Sequence, residues 1–319
     1  MRVSVLDTSP IVRGATARQA LQRSVDLAVL ADELGFHRYW VPEHHSMRGV
    51  ASAAPAVVAG RLAAATRRIR VGAGGVLLPN HAPLVVAEQF GTLEAFFPGR
   101  IDLGLGRALG GPAYVADAVR RAGEDFPGQV DELLAYFAEG DGRIRAVPAA
   151  GHRPEVWLLG SGTGSARVAR ERNLPYAFAH HLNADGAEEA LGAYGNAGAA
   201  LLSVAVIVAD TDERAEWLAG PARLKVLSRL RGQRILLPDP GTAAEYPYTE
   251  DDRAEIAARC AHLVVGSPDT AGAKLRDLLD RTGAGELMVT TPVFDHADRR
   301  RSYELLASIA QRTGGSHSG

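Results

Sequence analysis

The segment that decides the fold is His37-Arg38-Tyr39-Trp40-Val41-Pro42-Glu43-His44-His45. It has the pattern of a short apolar strand that ends in polar side chains, and it follows a helix pattern that stops at Gly35. In a parallel array of strands and helices, the carboxyl ends of the strands carry the residues that do chemistry. Two imidazoles at such an end, able to titrate near neutral pH, predict an active site. The alternative is a single histidine that is simply hydrogen-bonded at the edge of the fold.

Strand and helix patterns alternate along the rest of the chain. The first four strands begin about 32 to 35 residues apart, the size of one strand–helix unit. Eight strands are predicted, at residues 3–7, 37–42, 69–78, 101–105, 155–159, 176–180, 202–208 and 286–290. Helices are predicted at residues 16–35, 54–66, 83–96, 126–139, 165–172, 185–194, 268–282 and 298–312. The pattern predicts one (β/α)8 barrel domain, a TIM barrel, over residues 1–312, with a helical excursion at 211–265 before the last strand and a disordered tail at 313–319.

An open, doubly wound sheet is the alternative architecture. Its dinucleotide signature needs Gly-x-Gly-x-x-Gly after a strand, and an acidic residue about 20 positions later. Gly104-x-Gly106 lacks the third glycine because position 109 is leucine. The run at 160–165 comes closer, but the strand that follows ends in His180-His181 rather than in an acid.

Composition narrows the functional classes. The net charge of the 319 residues is −2, and the short arginine clusters at 67–70 and 299–301 are expected at helix ends and on solvated faces, which disfavours nucleic-acid binding. The single cysteine, Cys260, excludes an internal disulfide and a cysteine metal cage. The two lysines, Lys225 and Lys274, lie in helix patterns, which disfavours Schiff-base chemistry at a strand end. We see no signal-peptide pattern and no long apolar run, so we expect a cytoplasmic protein without a membrane span.

Glycine-rich segments mark three predicted strand ends. The run 160–165 joins a strand to a helix, and its free N–H groups and hydroxyls suit a phosphate, although a flexible loop has the same composition. Arg107 follows Gly104 and Gly106 and can add positive charge, unless it is merely solvated. The glycines at 72–75 predict either a flat ring lying on bare backbone or a barrel corner that needs small residues.

Histidines occur in two adjacent pairs, His44-His45 and His180-His181. Side chains that are adjacent on a strand face opposite ways, so at most one of each pair is expected to enter the barrel mouth. No carboxylate cluster at ligand spacing accompanies them. We therefore expect no metal ion, with a metal site as the minor alternative.

These segments together resemble the bacterial-luciferase-like flavin monooxygenases, in particular the subgroup found in natural-product pathways. The resemblance covers nearly the whole chain in the right order, at residues 35–45, 70–79, 98–107, 157–162, 177–181 and 286–292. Members of that family are eight-stranded barrels, usually dimers, that bind reduced FMN made by a separate flavin reductase. The resemblance therefore implies a monooxygenase that uses reduced FMN and O2 to oxygenate a small organic molecule, of the secondary-metabolite type.

The resemblance also implies roles for individual residues. His44 matches the catalytic histidine beside the flavin, and the Gly74–Gly75 bond matches a non-prolyl cis peptide under the ring. The FMN-binding residues carried over are Ala73, Gly74, Gly75, Arg107, Leu109, Leu159, Ser161, Gly162, Thr163 and Ser165, together with Gln129, which stands where luciferases have a second phosphate arginine. Substrate contacts are expected from Asp7, Trp40, His45 and His180.

Two alternatives keep the fold but change the function. The first is a deazaflavin-dependent hydride-transfer enzyme, whose relatives usually have Asp-His-Phe-like residues where this chain has Glu43-His44-His45, which favours FMN. The second is a flavin-binding auxiliary protein without turnover, since some relatives have lost catalysis.

The small residues of helix 54–66, together with helix 83–96, predict a homodimer interface, whichever of these functions applies.

Overall fold

The structure is a computed structural model that describes residues 1–119, 121, 125–138 and 143–314. Within these residues eight parallel strands form a closed ring, which confirms the predicted (β/α)8 barrel: β6 pairs with β7, and β9 pairs with both β7 and β1. The strands are β1 (Val3–Leu6), β2 (Arg38–Val41), β3 (Arg70–Leu77), β4 (Ile101–Gly106), β5 (Glu155–Gly160), β6 (Tyr176–Phe178), β7 (Leu201–Val208), β8 (Val264–Gly266) and β9 (Glu286–Thr290). The helices are α1 (Ala17–Leu34), α2 (Pro55–Ala65), α3 (Pro83–Phe96), α4 (Val115–Ala118), α5 (Phe126–Phe137), α6 (Thr163–Glu171), α7 (Ala187–Tyr194), α8 (Asp212–Leu230), α9 (Pro240–Ala244), α10 (Glu250–Arg259), α11 (Pro268–Thr282) and α12 (His296–Gly314).

Strand β8 corrects one sequence prediction. It begins inside the segment 211–265, which was predicted to be helical, but it pairs in parallel with the last residues of β7. Because β7 extends past the ring, the backbone groups from Val206 to Val208 need a partner there, and β8 supplies it. The remainder of the excursion is mainly helical, as predicted, and contains α8, α9 and α10. It lies on the carboxyl side of the barrel, where strand β7 ends.

The ends of α1 follow directly from its sequence. The Thr16 hydroxyl accepts a hydrogen bond from the Gln19 N–H, and the Thr16 N–H donates to the Gln19 side chain, which forms a capping box. At the other end Gly35 adopts φ 80°, the left-handed conformation that closes a helix. Both ends confirm the prediction, and they bring the chain into β2.

Four strands, β1, β2, β3 and β6, end earlier than the sequence predicts, and two of them lead into the histidine pairs. β2 stops at Val41, since the next residue is Pro42, which has no N–H for the strand ladder. β6 stops at Phe178, and His180 and His181 lie in the turn that follows. Both histidine pairs therefore lie in loops at the carboxyl end of the barrel, so the alternation of a strand does not decide which member enters the mouth.

The amino-terminal half of the barrel interior is filled by buried ion pairs. Arg38 Nη1 lies 2.9 Å from Asp102 Oδ2 and 2.7 Å from Glu155 Oε2, and its Nε lies 3.2 Å from Glu286 Oε1. The Arg38 guanidinium also lies 4.5 Å from the centre of the Trp157 ring, which belongs to an apolar layer nearer the carboxyl end. Because charged side chains fill this end, we expect a ligand to enter the barrel from the carboxyl end.

The arginine clusters are less solvated than predicted. Arg299 is 3% exposed, and its Nη2 lies 2.8 Å from Asp7 Oδ1. Arg70 is half-buried and binds Asp102 Oδ1 through Nε at 2.8 Å and Nη2 at 2.6 Å. Each cluster thus contributes one arginine to a buried carboxylate, because a buried carboxylate requires a charged partner.

The carboxyl-terminal helix, α12, continues through Gly314 and so includes two residues of the predicted tail. Residues 315–319 of that tail lie outside the described residues. Among the described helices, none combines the length and the apolar composition that a membrane crossing requires.

Candidate active site

The centre of the carboxyl-terminal mouth has a floor of bare backbone. The Gly74–Gly75 peptide is cis, as predicted, and the register between β3 and β4 shifts at this point. A Cβ added to Gly74 would lie 2.8 Å from Trp40 Cε3, and one added to Gly75 would lie 2.7 Å from the Gly104 carbonyl oxygen. The Leu159 side chain from β5 lies beside Gly75 and Gly104. Side chains are excluded from this floor, so a flat group can approach the backbone closely.

His44 follows β2 and lies at the same mouth. Its backbone N–H donates to the Ser52 carbonyl at 3.0 Å, and its ring is half-buried. Ring Nδ1 is buried and has no hydrogen-bond partner among the described residues. Burial is the main cause that lowers the pKa of His44, and the nearby charges of His45 and His181 lower it further. The ring is therefore mostly neutral at pH 7 and can accept a proton.

Glu43 is a buried hydrogen-bond acceptor to which sequence reasoning assigned no role. It is 2% exposed, and it accepts from the Leu77 N–H at 3.0 Å, His45 Nε2 at 2.7 Å, His81 Nε2 at 2.9 Å and Asn80 Nδ2 at 3.2 Å. Burial would raise the pKa of Glu43, but the hydrogen bonds from His81, His45 and Leu77 lower it overall. Because an ionised carboxylate only accepts, Nε2 of both histidines carries a proton.

This arrangement holds His45 by contacts inside the protein. Its Nε2 is held by Glu43, and its backbone N–H donates to the Gly110 carbonyl at 2.8 Å. The Gly110 contact ties the loop after β2 to the loop after β4, and Glu43, through Asn80 and His81, ties it to the loop after β3. The geometry supports a role for His45 in holding this wall together, and the substrate contact of His45 stays a prediction. The sequence carried no signal for this cluster, because His81 is 38 residues away from Glu43.

In the second histidine pair, His181 lies on the interior side. Its backbone N–H donates to the Ser203 carbonyl at 2.9 Å, and its Nδ1 lies 3.0 Å from the same carbonyl and 2.9 Å from Ser203 Oγ. Ser203 has the same orientation on β7 as Leu201, which packs inside the barrel. A carbonyl only accepts, so Nδ1 carries the proton, and Nε2 is left with a free lone pair. His181 is thus the imidazole that shares the mouth with His44.

His180, the member of this pair that was predicted to bind substrate, has a different environment. It is buried, and its Nδ1 has no hydrogen-bond partner among the described residues. Burial, and then the charges of His262 and His181, lowers the pKa of His180 to about 4. His181 rather than His180 is the neighbour whose charge reaches His44. We therefore replace His180 by His181 as the candidate, a choice that only the turn after β6 reveals.

The turn between β5 and α6 has the features of an anion site. Helix α6 begins at Thr163 with Gly162 as its N-cap, and none of the described side chains caps it, so its first N–H groups have no side-chain partner among these residues. Ser165 Oγ donates to the Gly162 carbonyl at 3.0 Å and lies 3.1 Å from the Tyr176 hydroxyl. A Cβ at Gly160 would lie 1.7 Å from Ser165 Oγ, so only glycine fits there. The turn thus contains the residues that were predicted to bind the cofactor phosphate, namely Ser161, Gly162, Thr163 and Ser165.

Arg107 follows β4, the strand next to β5, and so lies at the same edge of the barrel. Its side chain is exposed and forms no hydrogen bond within the described part of the chain. Ser161 is exposed too, while its carbonyl accepts from Asn183 Nδ2 at 2.8 Å. Gln129 presents a buried Oε1 that has no described partner. The Leu109 carbonyl accepts a hydrogen bond from the loop after β3 at 3.2 Å, so Leu109 belongs to the wall near Glu43.

Two predicted substrate residues are placed away from the open mouth. Asp7 is 0% exposed, and its carboxylate binds Arg299 at 2.8 Å and the Tyr39 hydroxyl at 2.6 Å. Trp40 is 1% exposed, lies beneath Gly74, and donates its indole N–H to Asp102 at 2.8 Å. Both side chains have their polar groups satisfied inside the protein. We assign them to the support of the site and not to substrate contact.

Comparisons with known proteins agree with this architecture. The family model of luciferase-like monooxygenases matches residues 1–286. The chain is similar to a luciferase-like monooxygenase of Escherichia coli (strain K12), with 39% identity over 97% of this chain and 96% of that protein. It is also similar to the N-acetyl-S-alkylcysteine monooxygenase of Bacillus subtilis (strain 168), with 32% identity over 96% and 97% of the two chains. The crystal structure of apo-MsnO8 superposes with a TM-score of 0.91 at 38% identity, covering 97% of each chain. The chain therefore belongs to the luciferase-like monooxygenase family.

Proposed function

We propose that this protein is an FMN-dependent monooxygenase that takes reduced FMN from a separate flavin reductase. It uses O2 to insert one oxygen atom into a small organic molecule. The observation that carries the proposal is His44, a mostly neutral imidazole with a buried, unpartnered Nδ1. It lies at the mouth whose floor is the bare Gly74–Gly75 backbone.

The residues present fit the cofactor. The floor has no room for side chains, so Ala73, Gly74 and Gly75 would support the flat ring, with Leu159 beside it. The free N–H groups at the start of α6, together with the exposed Arg107, would hold the phosphate. The hydroxyls of the same turn, on Ser161, Thr163 and Ser165, would add hydrogen bonds. Gln129 supplies an uncharged amide to this edge, which is consistent with a flavin that binds and leaves.

When bound, the reduced flavin supplies the two electrons that allow O2 to give one oxygen atom to the substrate and the other to water. The protein holds and moves the protons. His44 is mostly neutral, so it would accept a proton at the mouth and return it. Nε2 of His181 would accept a hydrogen bond from the substrate, since its Nδ1–H is held by Ser203. The filled amino-terminal half of the barrel would exclude water from below.

The cofactor and the partner are tested by binding and by labelling. The full-length protein is titrated anaerobically with reduced FMN, and separately with reduced deazaflavin, while flavin fluorescence is recorded. Turnover is then run with a flavin reductase, NADH and 18O2, and N-acetyl-S-benzylcysteine is used as the first substrate. We choose this probe because it belongs to the class named for the 32% identical relative.

We expect reduced FMN to bind more tightly than the deazaflavin, and one 18O atom to enter the probe. Gly160→Ala, which places a Cβ 1.7 Å from Ser165 Oγ, should weaken FMN binding but not riboflavin binding, because riboflavin has no phosphate. Preferential binding of the deazaflavin would favour the hydride-transfer alternative. Tight FMN binding without labelled product from a panel of sulfides, alkenes and ketones would favour the auxiliary protein.

A further inference from the structure

Lys225 lies where three segments of the carboxyl-terminal side meet. It is on α8, and a Cβ added to Gly49 would lie 3.6 Å from its Nζ and 3.9 Å from the Ile11 carbonyl oxygen. Gly49 belongs to the loop after β2, which also carries His44, and its carbonyl accepts from the Ile11 N–H at 3.0 Å. The Leu237 carbonyl accepts from the Arg13 N–H at 2.9 Å, which ties the excursion to the same loops. The Lys225 amine therefore lies against the loop after β2, the loop that also carries His44.

The charge of Lys225 has no counterion in the described part of the chain. Its Nζ forms no hydrogen bond and no ion pair there, although the residue is half-buried. Burial, and then the charge of Arg229, lowers the pKa of Lys225. The other lysine, Lys274, shows the ordinary arrangement, since its Nζ donates to the Val265 carbonyl at 2.9 Å. A half-buried ammonium without a partner is costly, and an anionic ligand would remove that cost.

The surroundings of Lys225 are positively charged as well. Arg48 precedes Gly49, and Arg229 and Arg234 follow Lys225 on α8 and in the next loop. None of these three arginines pairs with a carboxylate among the described residues. The nearby Arg231 does so, with Asp252. The segments that meet at Lys225 thus carry arginines without a described carboxylate partner, and such positive charge attracts anions and raises their local concentration.

We propose that the substrate of this site carries a carboxylate and that Lys225 binds it. This inference rests on the proposed function in one respect only, namely that the substrate binds at the carboxyl-terminal mouth of the barrel. The amine supplies three donors on a flexible stem, enough to hold one carboxylate group. The flavin phosphate is provided for elsewhere, at Arg107 and the start of α6.

The small number of lysines gives a direct test. Reductive methylation with 13C-formaldehyde labels Lys225, Lys274 and the terminal amine, and leaves the positive charges in place. The labelled full-length protein is titrated with 4-phenylbutyrate, with the neutral 4-phenylbutyramide, and with FMN, and the methyl signals are followed by NMR. Lys225→Met and Lys274→Met assign the two lysine signals.

We expect 4-phenylbutyrate to shift the Lys225 signal saturably, while the amide and FMN leave it in place and the Lys274 signal stays still. By calorimetry, Lys225→Met should weaken carboxylate binding about tenfold or more, because a hydrogen bond to a charged group is lost. Lys225→Arg should restore most of it, and Lys274→Met should change it less than about twofold.

A Lys225 signal that no carboxylate shifts, or one that FMN shifts instead, would overturn the proposal. Thermal unfolding of Lys225→Met checks that the variant is folded. The two proposals fail separately: loss of FMN binding in the unmodified protein speaks against the cofactor, whereas carboxylate binding at Lys225 does not depend on it.

Discussion

At the residue scale, His44 and His45 differ in what their ring nitrogens contact. His45 is engaged, because its Nε2 donates to the buried Glu43. His44 has a buried Nδ1 without a described partner, and burial keeps its pKa below the ordinary value. One imidazole is thus fixed in the wall, and the other is free to exchange a proton. Adjacent residues of the same type have different roles because the backbone after Pro42 turns their side chains in different directions.

This difference predicts opposite phenotypes. His44→Ala should lower product formation about 10²–10⁴-fold, the usual contribution of a positioned acid–base group, while FMN affinity stays within about twofold. His45→Ala should retain more activity but lose about 1–3 kcal/mol of unfolding free energy, because the buried Glu43 loses a donor. Labelled product and urea unfolding measure the two effects. If His45→Ala abolished turnover while His44→Ala kept it, the assignment of the two rings would be reversed.

The pH dependence follows from the lowered pKa of His44. A group with a lowered pKa stays neutral further into the acid range, so a reaction that needs the neutral ring persists below pH 6.5. Activity should then fall as the pH decreases through the pKa of the folded state. The acid limb of the rate profile should be absent or flattened in His44→Ala. A wild-type limb centred above pH 6.5 would contradict this reading.

At the scale of elements, local signals in the sequence were sufficient for most boundaries. The capping box at Thr16 and the glycine at position 35 define α1 because each acts through its own backbone neighbours. The limits of α3 and α11, each with proline at its start, also agree with the prediction. β8 was missed because three apolar residues next to a helix pattern do not show a period.

The candidate site could be predicted only in part, for a related reason. The glycines at 74 and 75 and the turn at 160–165 carry their own signal, since a bare backbone needs glycine wherever it occurs. The Glu43–His81 contact and the buried pair of Arg38 with Asp102 join residues far apart in the chain. No local pattern reports such pairs. The choice of His181 over His180 depends on one turn, whose direction is set by Ser203 on another strand.

The close packing between strands β3 and β4 can be tested by its effect on stability. A Cβ at Gly104 would lie 2.3 Å from the Ala73 carbonyl oxygen and 2.7 Å from Leu159 Cδ1. Gly104→Ala should therefore lower the unfolding free energy by about 1–3 kcal/mol, as overpacking does in a rigid core. Gly192→Ala in α7 is the matched control, since nothing lies within 4 Å of its added Cβ. It should be neutral or slightly stabilising in a helix. Equal stability of the two variants in urea would contradict the contact.

At the scale of the whole molecule, helices α2 and α3 leave an apolar surface uncovered. Val57 is 73% exposed, Val85 is 45% exposed and Phe96 is 74% exposed. Of the alanines that suggested an interface, Ala59 and Ala63 are buried within the same chain, whereas Ala54 and Ala64 are exposed. The exposed valines and Phe96 supply the larger apolar groups on which a second copy can pack. Large exposed apolar side chains are typical of protein–protein interfaces.

We propose a homodimer through this surface, which we expect to have about twice the chain mass of 33.7 kDa in light scattering at micromolar concentration. Phe96→Glu places a charge on this apolar surface, and burying that charge without a partner costs more than the contact returns. The variant should therefore be monomeric. Val147→Glu is the control, since Val147 is 71% exposed but does not belong to α2 or α3, and it should remain dimeric. A monomeric wild-type protein would reject the assembly, and a dimer that survives Phe96→Glu would place the interface on another surface of the barrel.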